Sequence, residues 1–337
     1  MCPEDIPSLF TVDIVLGNWT VTLLFGDGKS CIFTEGDKWK MKISWKSSLM
    51  LFSAAFIWGT AFVAQSVGMD YLGPLSFNGA RFLMGSLVLL PVICFARAKK
   101  KGKGKNTGNM RAAAVGGVCC GVVLCGAALL QQYGILYTTV GKAGFITTLY
   151  IILVPFFGIF LKKRIPGKVW VGAVLAAFGM YLLCMSENFS LSRGDILVFL
   201  CAILFSVHIL VIDHFSPRVD GVELSCIQFL TAGIIGSCLA FVFEKPDMQD
   251  FIKGIVPLAY AGVLSSGVAY TLQVLGQKNT DPTIASLILS LESAVSVLAG
   301  WVILRQTLTV RELMGCAVVF CAVILVQIPG KKKRSDF

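Results

Sequence analysis

From residue 48 onward the chain alternates between long apolar runs and short polar breaks. Ten runs can be counted, at 48–68, 75–96, 112–135, 143–161, 168–185, 194–212, 222–243, 254–276, 282–304 and 310–328. A helix needs about 20 apolar residues to cross a bilayer's hydrocarbon core, and each run is close to that length. The breaks carry charge, Pro or Gly and leave no room for a soluble domain. The pattern predicts an all-α membrane protein of ten transmembrane helices. Residues 1–46 read differently. The run Thr11–Phe25 is short and contains Asp13, so it is not counted as a span, and it lacks the basic start of a signal peptide. The segment is expected to be a disordered extension or an over-long start, with Met41 as the alternative first residue.

The ninth run holds the sharpest irregularity. Pro282–Leu304 is apolar or small throughout except for Glu292 at its middle. Wound at 100° per residue, Ala285, Ser286, Ser290, Glu292, Ser293, Ser296 and Gly300 fall in one sector, and Leu287, Ile288, Leu291, Val295, Leu298 and Val302 in the other. One side suits packed apolar neighbours or lipid, and the other suits a polar cavity. A carboxylate at that depth costs at least ~2.5 kcal/mol on insertion scales, so it needs a partner, water or a proton.

Composition agrees with this reading. Hydrophobic residues make up 56% of the 337, and charged residues only 14%, against about 25% in soluble domains. The net charge of +10 does not point to nucleic acid, because the basic residues sit between apolar runs rather than along a polar face. With the N-terminus inside, 21 Lys and Arg fall on the inner side and six on the outer. That imbalance puts both termini in the cytoplasm, including the basic tail at 329–337, and places the chain in the cell membrane. Ten of the twelve cysteines lie inside apolar runs without a CxxC pair, the behaviour of small buried hydrophobes. No phosphate loop, HExxH or paired metal-ligand set is present, so no cofactor and no metal are expected.

The chain also repeats itself. Leu130-Gln131-Gln132-Tyr133-Gly134 recurs as Leu272-Gln273-Val274-Leu275-Gly276. Leu161-Lys162, Lys168, Gly172 and Leu182 match Leu304-Arg305, Arg311, Gly315 and Leu325, with one residue inserted between the two blocks. Ten spans divide into two fives, 47–188 and 189–328. Because five is odd, the second copy enters the membrane from the opposite side. Such a 5+5 inverted repeat puts a binding site near the midplane, where the halves meet.

At this point the sequence resembles an EamA-type member of the drug/metabolite transporter superfamily, over about residues 47–328. The resemblance rests on Trp58-Gly59, Arg81-Phe82, Phe145-Ile146-Thr147, Leu149-Tyr150 and Val154-Pro155 in the first half. In the second half it rests on Ala269-Tyr270, Gln273, Gln277, Ala285, Leu291-Glu292 and Gly315. Relatives commonly have Pro after the ninth-span Glu, where this chain has Ser293. The resemblance implies a secondary transporter, an exporter, moving small polar metabolites such as amino acids by alternating access. A non-transporting membrane scaffold and an intramembrane enzyme using Glu292 and His208 are the competing readings.

Candidate residues follow from depth and chemistry. Glu292 is a candidate for meeting a cationic group of a substrate or exchanging a coupling proton, and His208, within the sixth span, for proton coupling. Gln131, Gln132 and Gln273 offer both donors and acceptors, which suits a polar ligand but equally suits helix–helix ties. Trp58, Tyr150, Tyr270 and Ser290 are further candidate substrate contacts, with packing as the alternative for the aromatics. Pro155 removes a backbone donor inside the fourth span and is a candidate hinge. For Arg81, a gate or substrate-anion role competes with snorkelling to headgroups.

Overall fold

The computed structural model describes residues 9–15, 18–24, 30–33, 45–101, 110–138, 140–161, 165–184, 192–305 and 309–327. The chain divides into two units, Met1–Lys42 and Ile43–Phe337. In the first, three antiparallel strands follow one another: β1 (Leu9–Val15), β2 (Asn18–Leu24) and β3 (Ser30–Phe33). Leu9 pairs with Leu24 and Val15 with Asn18, and Ser30 pairs with Leu24 on the other edge. The expected start at Met41 lies outside the described residues, as does the tail at 329–337.

Among its described residues the regular elements of the second unit are all helices. It opens with α1 (Trp45–Gly68), α2 (Pro74–Lys101), α3 (Met110–Ile135), α4 (Val140–Thr147), α5 (Tyr150–Phe160) and α6 (Gly167–Cys184). Then come α7 (Arg193–Phe215), α8 (Gly221–Phe243), the short α9 (Met248–Lys253) and α10 (Ile255–Ala259), and a π-helical stretch over Tyr260–Tyr270. The last elements are α11 (Thr271–Gln277), α12 (Pro282–Leu289), α13 (Leu291–Leu304) and α14 (Val310–Gln327).

Among the described residues eight stretches are long and apolar enough to cross a membrane: Trp45–Gly68, Pro74–Ala98, Met110–Ile135, Ala143–Phe160, Arg193–Phe215, Gly221–Phe243, Ile255–Gln277 and Pro282–Ile303. The fifth and tenth expected runs become α6 and α14, of 18 residues each. At 1.5 Å per residue these are only about 27 Å long.

The helix starts were written in the chain. Ser192 accepts from the Asp195 backbone N–H while Asp195 accepts from that of Ser192, a reciprocal cap for α7. Asp220 caps α8, and Asp281 caps α12 with Pro282 in its first turn.

Packing brings α2 against α8, α6 against α14, α3 against both α7 and α8, and α1 against α13. The α2–α8 seam is tight because of glycine. A Cβ on Gly79 would stand 2.7 Å from the Ser237 backbone nitrogen, and one on Gly236 would stand 3.0 Å from the Gly79 Cα. Phe82 and Phe229 stack across this seam with centroids 6.2 Å apart. Polar ties close both of its ends. Glu244 accepts from the backbone N–H groups of Leu75 and Ser76, both at 2.8 Å, and so caps α2 from the end of α8. At the other end Arg97 Nε lies 2.9 Å from Glu223 Oε1. Every residue of α12 is buried, which makes it the central element of the bundle.

Candidate functional site

Two helices are interrupted at mid-length, and they meet. At Thr148 the hydroxyl donates to the Phe145 carbonyl at 2.8 Å. The Thr148 N–H bonds Gly144 O, and its own carbonyl accepts from Ile151 N at 3.0 Å. At Ser290 the same three bonds recur. The hydroxyl donates to Leu287 O at 2.7 Å, the N–H bonds Ser286 O, and the carbonyl accepts from Ser293 N at 3.2 Å. Each site is a local tightening of the helix, in which the i→i+3 bond replaces the i→i+4 bond. The interruption of the fourth span thus falls at Thr148–Leu149, and the candidate hinge Pro155 sits further along α5, buried in its interior.

Just beyond the breaks stand Tyr150 and Glu292. The Tyr150 hydroxyl donates to Glu292 Oε1 at 2.9 Å, and the two residues are 142 apart in sequence. The same separation relates Thr148 to Ser290 and Gln131 to Gln273. The bonded pair therefore shows the separation that relates the two Leu-Gln pairs of the sequence.

Around this bond lies a cavity lined almost wholly by buried side chains. Helix α1 contributes Trp58, Phe62 and Gln65, α2 contributes Arg81, and α3 contributes Gln131, whose amide donates to Thr147 Oγ1 at 3.2 Å. Phe205 and Ile209 of α7 and Leu289 of α12 supply apolar wall. Ser265 and Tyr270 come from the π-helical stretch and Gln273 from α11. Trp58 Nε1 donates to the Ser265 carbonyl at 3.2 Å, and its ring meets Tyr270 edge-on at 4.5 Å. The cavity offers about 30 Å³ to the centres of water molecules, room for roughly two waters.

An acid and a base share these walls. Arg81 is 2% exposed and Glu292 4%, and they form no ion pair with each other. Arg81 Nη1 donates to Gln65 Oε1 at 2.9 Å, and its guanidinium carbon lies 4.7 Å from the Phe82 ring centroid. Its Nε and Nη2 have no hydrogen-bond partner among the described residues.

Of the residues singled out from sequence, Trp58, Arg81, Gln131, Tyr150, Tyr270, Gln273 and Glu292 line the cavity. Four do not. Gln132 turns to α1, donating to the Gln65 carbonyl at 3.2 Å. Ser290 spends its proton on the break described above. Ser286, Ser293 and Ser296 do likewise on their own helix carbonyls, so the serine stripe of the ninth span is tied within its own backbone. His208 lies behind the wall, with Nε2 3.0 Å from Gln228 Oε1 and its ring edge-on to Tyr270 at 6.1 Å. Pro155 is the fourth. Sequence reasoning missed the apolar walls Phe62, Phe205, Ile209 and Leu289, whose residue types look the same as core. Among the described residues no group of three His, Cys, Asp or Glu is placed to hold a metal.

Membrane-length helices around a buried, charge-bearing cavity define a multi-pass membrane protein. Its family follows from sequence. The EamA-like transporter family matches residues 45–185 and 192–328, and the chain belongs to that family of membrane transporters. It is 30% identical over 283 residues to an uncharacterized transporter of Archaeoglobus fulgidus, covering 84% of this chain and 86% of that protein. It is 21% identical to the uncharacterized transporter YoaV of Bacillus subtilis, over 83% and 96%. Identity to the uncharacterized inner membrane transporter YedA of Escherichia coli K12 is 23%, over 82% and 89%. A solved crystal structure shares the fold at TM-score 0.67 and 18% identity, covering 83% of this chain and 96% of that one.

Proposed function

We propose that the protein is a secondary transporter that exports small polar metabolites, such as amino acids, across the cell membrane by alternating access. In this reading ten helices form a 5+5 inverted repeat with both termini in the cytoplasm, and α6 and α14 are the two short spans. The observation that carries it is the Tyr150–Glu292 bond, one position from each half joined at paired helix breaks. Discontinuous helices meeting at the junction of two repeats are how many secondary transporters expose polar groups at mid-membrane. Glu292 is the substrate-facing acid and the candidate for a coupling proton. Gln131, Gln273, Trp58 and Tyr270 surround the solute.

Room for roughly two waters is far below the ~300 Å³ or more that ligand pockets usually offer. The described conformation is therefore read as occluded, and loading requires the walls to part. The outward direction follows from the family resemblance, and the cytoplasmic placement of the termini from the excess of Lys and Arg in the inner connections.

The test is counterflow. Purified protein in liposomes, loaded with a pooled metabolite mixture, should exchange a defined subset of polar solutes. If solutes are chemically converted rather than exchanged, the reading is wrong. If nothing exchanges in protein shown to be folded, it is equally wrong.

A further inference from the structure

A buried guanidinium with two of its three nitrogens unpartnered among the described residues stands out in a cavity that already holds a carboxyl group. Arg81 is held on one side only, by Gln65 through Nη1. The two nitrogens without an acceptor among the described residues, Nε and Nη2, are those along the opposite edge of the planar group. That edge presents two parallel N–H bonds, the fork that matches both oxygens of a carboxylate. The carboxylate facing the same cavity does not fill it, because Glu292 bonds Tyr150 and makes no ion pair with Arg81. Nor is Arg81 at a headgroup surface, being almost fully buried, which removes snorkelling as its explanation.

We infer that Arg81, positioned by Gln65, is an anion subsite. The cargo then carries a carboxylate for Arg81 and a cationic group for Glu292, and the solute must be a zwitterion bearing both. This deepens the transporter reading above and rests on it. It adds a demand that the reading alone does not make, since a neutral polar solute would leave both buried charges without a counter-charge. Two opposite charges held apart in one cavity also fix the solute's orientation, since reversing it sets like charges against each other.

The experiment offers wild-type proteoliposomes three versions of one amino-acid set. These are the free zwitterions, their methyl esters, which lack the carboxylate, and their N-acetyl derivatives, which lack the ammonium. Zwitterions should exchange faster than either derivative by about tenfold or more, because a site that hydrogen-bonds a group discriminates strongly against the analogue without it. Arg81→Gln should lose zwitterion exchange and with it the discrimination against esters. Arg81→Lys should recover only part, since a point charge lacks the fork. Gln65→Leu, which keeps the charge but frees the guanidinium, should narrow the zwitterion-to-ester ratio, a ratio that a merely structural role would not move. The wild-type ratios need no variant to fold. Esters moving as fast as zwitterions, or exchange confined to uncharged solutes, would overturn the inference and leave the transporter standing. No exchange of any solute in the metabolite pool would remove both.

Discussion

The broken helices α4–α5 and α12–α13 share a backbone and differ in almost everything it holds. Thr148 and Ser290 make the same three hydrogen bonds. Beyond the breaks both helices turn outward at their far ends, through Ile159 and Phe160 in α5 and Trp301 and Val302 in α13. However, α5 is only half-buried already at Ile152 and Leu153, whereas α12 is buried on every residue and α13 stays buried through Ser296. The residue two places past the hydroxyl is Tyr150 in one half and Glu292 in the other. The break is thus scaffolding common to both halves, and the chemistry was placed on it separately. A phenol meeting a carboxylate satisfies the buried acid, which two identical acids at the junction could not do without sharing a proton.

That contrast can be broken in graded ways. Replacing Glu292 by Gln keeps the shape and the Tyr150 contact but removes the charge. Counterflow should fall by about a hundredfold and lose whatever pH dependence the wild type shows, since removing the charge that meets the solute leaves a buried partner group unmatched at a cost of about 1–3 kcal/mol. Membrane expression should be unchanged, and wild-type exchange at all pH values would end the special status of the second half. Tyr150→Phe takes away one hydrogen bond to a charged group, worth about 1.5–3 kcal/mol. Exchange should drop by roughly ten- to a hundredfold, less than for Glu292→Gln. An equal or larger loss would make the phenol, rather than the acid, the working partner.

Stability measurements separate scaffold from site. A Cβ on Gly59 would stand 2.5 Å from Val295 Cβ and 2.7 Å from the Glu292 carbonyl oxygen, whereas one on Gly144 would find Ser296 Oγ at 3.0 Å and little else. Gly59→Ala should therefore cost about 1–3 kcal/mol through overpacking, seen as a lower thermal midpoint in detergent, and Gly144→Ala clearly less. Equal shifts would mean that α1 packs against α13 no more tightly than α4 does. The smallest effects belong to the breaks themselves. Thr148→Val and Ser290→Ala each remove one hydroxyl bond that the local carbonyl can partly do without, about 1 kcal/mol or less. The two should match, because the geometry matches. A large effect at one site alone would show that the shared break is shared in appearance only.

The helices themselves were legible, because the length and spacing of apolar runs reflect the bilayer that they must fit. Length was marginal at α6 and α14, of 18 residues each. Glu292 was legible as an acid too costly to be accidental, and the repeated Leu-Gln pair revealed the internal likeness of Gln131 and Gln273. Carrying that same separation forward would have paired Tyr150 with Glu292 and Thr148 with Ser290. The pattern was present but lay in unlike residues, which similarity does not detect. The serines of the ninth span misled as a group. Helical position put them on the polar face, but a hydroxyl that can reach its own helix carbonyl has no need of a cavity. For Arg81, sequence left cavity and headgroup open, and only its burial and its bond to Gln65 decide between them.

The tie between Arg81 and Gln65 also bears on how the chain enters the bilayer. Its two ends are 16 residues apart, on consecutive helices, while Glu292 must find a partner made 142 residues earlier. A cation that meets its acceptor within one hairpin can leave the insertion machinery already accompanied, as soon as α2 is synthesised. Gln65→Leu makes α1 more apolar yet should slow or reduce integration of α2, measurable by time-resolved protease protection of nascent chains. Integration at the wild-type rate would show that the hairpin carries its charge in unassisted.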